Sequence, residues 1–174
     1  MLNSLSAGSP GLVNAVIGLD ISLSQQMLSV YQAGQLIKTY SVSTAKNGAG
    51  SQKNSYKTPL GRHIVRAKIG GGLPINSVLV GRRPTGELYS PQLAQHAPQR
   101  DWILTRILWL SGKEPGLNRL GEVDTMQRYI YVHGTPDSEP LGVALSHGCV
   151  RMRNADIIEL FELTPLFTEV NITV

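Results

Sequence analysis

The sequence predicts a mainly β fold with one or two helices, and three observations point there. Gly (18) and Pro (10) are frequent while aromatic residues make up only 6%, a balance that favours turns and strands over a helical bundle. Short alternating or β-branched apolar runs recur along the chain, and one stretch near the carboxyl end has helical spacing. With 174 residues, 41% hydrophobic and 16% charged, the chain can build one core and does not resemble a disordered segment. A single domain over residues 1–174 is expected, its core running from about residue 16 to the end.

The elements follow in chain order. Residues 16–20 form a short apolar run and residues 27–31 a second one. Ala33-Gly34 then makes a tight turn into residues 35–44, so a hairpin is the natural reading. AKNGAGSQKNSYK at 45–57 is polar and rich in Gly, Ser and Asn, which is loop chemistry. TPLG at 58–61 fixes a turn, because Pro59 locks its own φ and Gly61 permits unusual backbone angles. Residues 63–69 return to alternation. Residues 70–100 are rich in Gly and Pro and predict an irregular surface excursion, a candidate loop or lid. Residues 102–110 read as a strongly apolar strand that Ser111-Gly112 ends, and 129–132 as a strand running into His133-Gly134. Asn154 is placed to cap a helix whose buried face comprises Ile157, Ile158, Phe161 and Leu160, with Asp156 in its positive first turn. Residues 170–174 read as a last strand.

Sixteen basic against twelve acidic residues give a net charge of +4, an interspersed excess suited to attracting an anionic substrate. No dense Lys/Arg stripe with interleaved aromatics appears, so nucleic acid is not an expected partner. The amino end, MLNSLSAGSPGLVNAVIGLDIS, has no Lys or Arg before its mildly apolar stretch and no apolar run of secretory length. No later run approaches ~18 apolar residues, so no transmembrane helix and no membrane partner are expected. The expected location is the cytoplasm, with the periplasm as the alternative for a chain trimmed of its signal.

The single cysteine excludes an internal disulfide and a multi-thiolate zinc site. It lies in SHGCVRM, residues 146–152. Composition alone favours Cys149 as a small buried hydrophobe. Zinc held by His133, His147 and Cys149 matches on ligand type, but the spacing fits no compact site and a fourth ligand is missing. The third reading is a nucleophile. A free thiol is only a few per cent ionised at neutral pH and needs a base or a cation beside it. His133, delivered by a rigid strand, could take the proton. Backbone N–H groups of His147, Gly148 and Cys149 could bind an oxyanion, with Gly148 allowing the backbone conformation. Ser146 and His147 would hold the loop or orient the base, and Arg151 offers a planar cation to a substrate carboxylate or a loop carbonyl. His63 and His96 have no partners in sequence and read as ordinary surface or satisfied residues.

SHGC followed by an apolar residue, Arg and Met, with upstream Val132-His133-Gly134-Thr135 and Leu141-Gly142, closely resembles the L,D-transpeptidase catalytic domain of the YkuD type. The opening hairpin and KTPLGRHIV are similar as well, so the resemblance spans about residues 16–174. It implies a β-sandwich-like fold and a cysteine nucleophile. The implied reaction cleaves peptidoglycan stem peptides between the L-centre of a diamino acid, usually meso-diaminopimelate, and the next D-alanine. By resemblance Cys149 is the nucleophile, His133 the base, and the Gly134 carbonyl its orienting group. His147 and Gly148 line the oxyanion region, Ser146 and Arg151 support the loop or the substrate, and Tyr131 lines the pocket. No metal or other cofactor is implied. Stem peptides (tetrapeptide muropeptides or precursors) are the expected partners, and carbapenem-type β-lactams the expected covalent inhibitors. With no export signal read, hydrolysis of soluble tetrapeptides is expected, an L,D-carboxypeptidase of peptidoglycan recycling. An exported cross-linking or D-amino-acid-exchanging L,D-transpeptidase is the alternative. A non-catalytic binding module on the same fold would predict loss of Cys149 or His133, and both are present.

Overall fold

The computed structural model describes residues 16–174. Most of the amino-terminal stretch read for an export signal lies outside the described residues. Strands β1 (Ile17–Ser22), β2 (Met27–Gln32) and β3 (Gln35–Ser41) form the expected meander. Strand β4 (Gly61–Ile69) follows the polar loop, and β7 (Leu104–Gly112) pairs antiparallel with it. Strands β8 (Tyr131–Gly134) and β9 (Val150–Met152) are parallel, as are β1 and the last strand, β10 (Glu169–Thr173). The protein is therefore mostly β with a mixed sheet, in the order β3-β2-β1-β10-β4-β7, and β8 and β9 continue from β7.

The ends of this sheet meet. Beyond β3, Ser43 exchanges both backbone hydrogen bonds with Arg151 of β9, at 3.0 and 2.9 Å. The junction brings Leu28 and Val30 of β2 into one buried cluster with Val132, Val150 and Met152. Helix α2 (Asn154–Leu163) closes the cluster with Ile157, Leu160 and Phe161, whereas Ile158 is only half-buried. Burying three such side chains stabilises the fold by about 1.5–3 kcal/mol each.

Two expectations need correction. Residues 70–100 are not irregular: they hold the hairpin of β5 (Ser77–Val80) and β6 (Arg83–Leu88) and a short helix, α1 (Pro91–His96). The Gly and Pro residues read as loop signals serve turns between short elements, and Ser90 accepts from the Leu93 N–H to cap α1. Nor is Asn154 a helix cap. It is fully buried, donates to the Thr135 carbonyl at 2.8 Å, and accepts from the Thr105 hydroxyl at 2.6 Å. Its amide also reaches Asn76 and Asp137, so it ties α2 to the strands and to the excursion. A buried amide satisfied on all sides is worth more here than an exposed cap.

His63 is also fully buried. Its Nδ1–H donates to the Gly61 carbonyl at 2.9 Å, and Nε2 accepts from the Thr125 hydroxyl at 3.1 Å. Burial lowers its pKa from 6.5 to about 4. The unfolded chain then binds the extra proton between those values, so stability is full above pH 6.5 and falls as pH drops toward 4. The loss approaches about 3 kcal/mol. Denaturant titrations at pH 7 and pH 4.5 should show this drop in the native protein and a smaller one in His63→Gln. Equal drops would remove His63 as the cause.

Candidate active site

A cavity of about 520 Å³ opens where β8, the 146–149 loop and the β5–β6 turn converge. Cys149, His133, Ser146, His147, Arg151 and Tyr131 all line it. Of the site residues expected from sequence, Gly134 and Gly148 complete the surrounding backbone.

His133 comes from the middle of β8 and is almost fully buried. Its Nδ1 donates to the Gly134 carbonyl at 2.7 Å, which leaves Nε2 with its lone pair. Only glycine fits at 134: a Cβ would stand 2.5 Å from Asn154 Oδ1 and 2.7 Å from the Leu104 carbonyl. Burial lowers the His133 pKa, against the Gly134 hydrogen bond and the Asp101 charge, which raise it. The ring is therefore neutral at neutral pH.

Cys149 is half-buried on the cavity floor. Its sulfur accepts from the Tyr131 N–H at 3.3 Å and donates to the Tyr129 carbonyl at 3.4 Å. Desolvation pushes the thiol pKa up to about 12, although the Tyr131 N–H and the Arg151 and Arg128 charges pull it back. The resting pair is thus thiol and neutral imidazole, not thiolate and imidazolium.

The cysteine loop is held from three sides. The Ser146 hydroxyl donates to the Cys149 carbonyl at 2.5 Å and accepts from the Gly148 N–H at 3.2 Å. Gly148 sits at φ +134°, where a side chain would be strained and would press on Ile130. The Gly148 N–H, expected from the sequence among the oxyanion donors, bonds the Ser146 hydroxyl here. The third hold is Thr58, which is fully buried: its hydroxyl donates to the Gly148 carbonyl at 2.9 Å and accepts from the Ala45 N–H at 3.0 Å. The Thr-Pro-x-Gly turn thus supports the cysteine loop from beneath.

Arg151 projects from β9 opposite His133 and donates to Asp101 at 2.9 Å. His147 Nδ1 lies 3.9 Å from the same carboxylate and is largely exposed. Arg128 reaches the Lys57 carbonyl at 2.6 Å and fastens the 45–57 loop to the wall of the cavity. Asp101, Arg128 and Thr58 are site residues that sequence reasoning missed. Only Thr58 carried a signal, its place in the TPLG turn. Among the described residues, no group of three or more His, Cys, Asp or Glu is placed to hold a metal ion. No helix among them is long and apolar enough to cross a membrane.

The YkuD profile, described as L,D-transpeptidase catalytic domain, matches residues 17–172. The chain belongs to this family. Among curated relatives, the probable L,D-transpeptidase YbiS of Escherichia coli (strain K12) is 35% identical over 107 residues, covering 59% of this chain and 34% of YbiS. The probable L,D-transpeptidase ErfK/SrfK of Salmonella typhimurium is 29% identical over 95% of this chain and 55% of its own length. The chain thus spans between about a third and just over half of these L,D-transpeptidases. Among solved structures, LD transpeptidase LdtMt1 in complex with imipenem superposes with a TM-score of 0.55 at 18% identity, over 91% of this chain and 59% of that one. At that identity the likeness is one of fold. The L,D-transpeptidase family is one of acyl-transfer enzymes, and the mostly β architecture read from the sequence is its catalytic fold.

Proposed function

We propose that Cys149 is the nucleophile, and His133 the base, of an acyl-enzyme reaction at the L,D-peptide bond of peptidoglycan stem peptides. One observation carries this reading: in a chain of this family, a thiol and a neutral, oriented imidazole face one solvent-open cavity. Sγ attacks the carbonyl of the diamino acid's L-centre while its proton passes to His133 Nε2. The N–H groups of His147 and Cys149 receive the oxyanion. Collapse expels the amine of D-alanine, which takes the proton from His133, and a thioester remains on Cys149.

Water is the proposed acceptor in the second half. Its proton goes to His133 and then to the departing thiolate, giving an L,D-carboxypeptidase that trims tetrapeptides to tripeptides. The position of Cys149 on the lining of an open cavity supports access by water. Soluble tetrapeptides in the cytoplasm, recycled or newly made, are the proposed substrates. If an amine took the acyl group instead, the same site would cross-link or exchange D-amino acids as an exported transpeptidase. The imipenem complex of LdtMt1 supports a further part of the reading, acylation of Cys149 by carbapenems.

Disaccharide-tetrapeptide incubated with the protein should lose one D-alanine and gain nothing, as read by mass. Cross-linked dimers or exchanged D-amino acids would replace hydrolysis with transfer, and unchanged substrate would overturn the reading.

A further inference from the structure

Strand β5 turns into β6 on two residues alone, Gly81 and Arg82, because Val80 pairs with Arg83. Both have positive φ, 53° and 64°, the geometry of a type I′ turn, whose positions favour Gly, Asn and Asp. An arginine held in the left-handed region is disfavoured by its own Cβ. Ala33 takes the same conformation in the β2–β3 turn, so the backbone alone assigns no role and the side chain must carry it.

The side chain supplies the second observation. The Arg82 guanidinium lies 4.7 Å from the Trp109 ring centroid and 4.8 Å from that of Tyr129. It donates to the Tyr131 hydroxyl at 3.0 Å. Three aromatic rings thus fix a half-buried cation on the wall of the cavity that holds Cys149. Among the described residues no carboxylate lies within salt-bridge distance of it. The other charged groups of the cavity are engaged: Asp101 is bound by Arg151, and Arg128 is directed at the 45–57 loop. Arg82 is therefore the cavity guanidinium that bonds neither a carboxylate nor a loop carbonyl, and it keeps N–H donors for a ligand.

We propose that Arg82 is the carboxylate receptor of this site and selects stem peptides bearing a free carboxylate. The inference rests on the proposed stem-peptide substrate and adds its specificity. Arg82 is joined to the reacting atom through one residue, since Tyr131 accepts from Arg82 at its hydroxyl and donates to Cys149 Sγ at its N–H. A carboxylate gripped by the planar fork would set the substrate's register against the sulfur. Two carboxylates have this chemistry, the C-terminal one of D-alanine and the one on the diamino acid side chain.

Equilibrium binding to Cys149→Ala, followed by calorimetry, separates them without turnover. The probes are the tetrapeptide, its D-alaninamide form, and the form amidated on the diamino acid side chain. At least one amide should bind about 10- to 100-fold more weakly than the acid, the range of one lost charge-assisted hydrogen bond. Adding Arg82→Gln should weaken the acid by the same factor and leave the responsive amide unchanged. Arg82→Lys should recover part of the loss, keeping the charge without the fork. The amide that responds identifies the carboxylate. Equal weakening of all three peptides by Arg82→Gln, no weakening of any, or no binding of any peptide would overturn the proposal. D-alanine release by the native protein reports separately. The binding pattern without release would defeat the proposed chemistry and leave the receptor standing, and release without the pattern would defeat the receptor alone.

Discussion

Replacement of Cys149 by Ala should reduce D-alanine release by roughly 10⁴-fold or more, toward the floor of the assay. It should also abolish the covalent adduct with imipenem. The second readout is unusually clean here because the chain contains one cysteine, so a thiol adduct has only one place to form. The substitution keeps the Cβ and removes a sulfur whose two contacts, at 3.3 and 3.4 Å, are long and weak. Ser146 still holds the Cys149 backbone carbonyl, and Thr58 still holds that of Gly148, so the loop should keep its shape. The melting temperature should therefore move by no more than about 4 °C, the shift expected of a change near 1 kcal/mol in a domain of this size. An adduct of unchanged mass shift in Cys149→Ala, or tetrapeptide trimming at more than a tenth of the native rate, would remove the thiol from the mechanism.

The loop proposed to carry the nucleophile stood out in the sequence because its residues are local. Ser146, Gly148 and Cys149 are close neighbours in the chain, and the strand that carries His133 shows its apolar pattern directly. Strands β1 to β4 and β7 were legible for the same reason, each having its own alternation or apolar run. What stayed hidden depends on contacts between distant positions. Thr58 meets Gly148 across 90 residues, and Asn154 meets Thr105 across 49. No periodicity encodes such a meeting. Asn154 looked like a cap because it stands before a helical pattern, and tertiary burial outweighed that local preference. The 70–100 excursion was misread because short strands joined by Gly-containing turns look like loop in any narrow window. Its role at the site rests on Arg82, which nothing in the sequence distinguishes from other surface arginines.

Replacing His133 by Gln should lower the rate of Cys149 acylation by about 10²- to 10⁴-fold at neutral pH, the usual worth of a positioned base. Glutamine can still donate to the Gly134 carbonyl, but it cannot take up the thiol proton. The pH dependence distinguishes this role from a merely structural one. In the native protein the thiol pKa stands near 12 and burial holds the imidazole below its usual 6.5. The reactive form, thiol beside neutral imidazole, is lost only when His133 gains a proton. Asp101 and Arg151, the charged neighbours of the ring, act in opposite directions on that proton and do not outweigh burial. The second-order rate constant for imipenem should therefore fall on the acid side below pH 6.5 and stay level from there into the alkaline range. In His133→Gln the acid limb should vanish. The residual rate should climb about tenfold per pH unit, because only the thiolate fraction then reacts. A bell-shaped native profile with an alkaline limb near pH 8 to 9 would mean a thiolate–imidazolium pair at rest, contrary to the order of pKa values that burial imposes on this site.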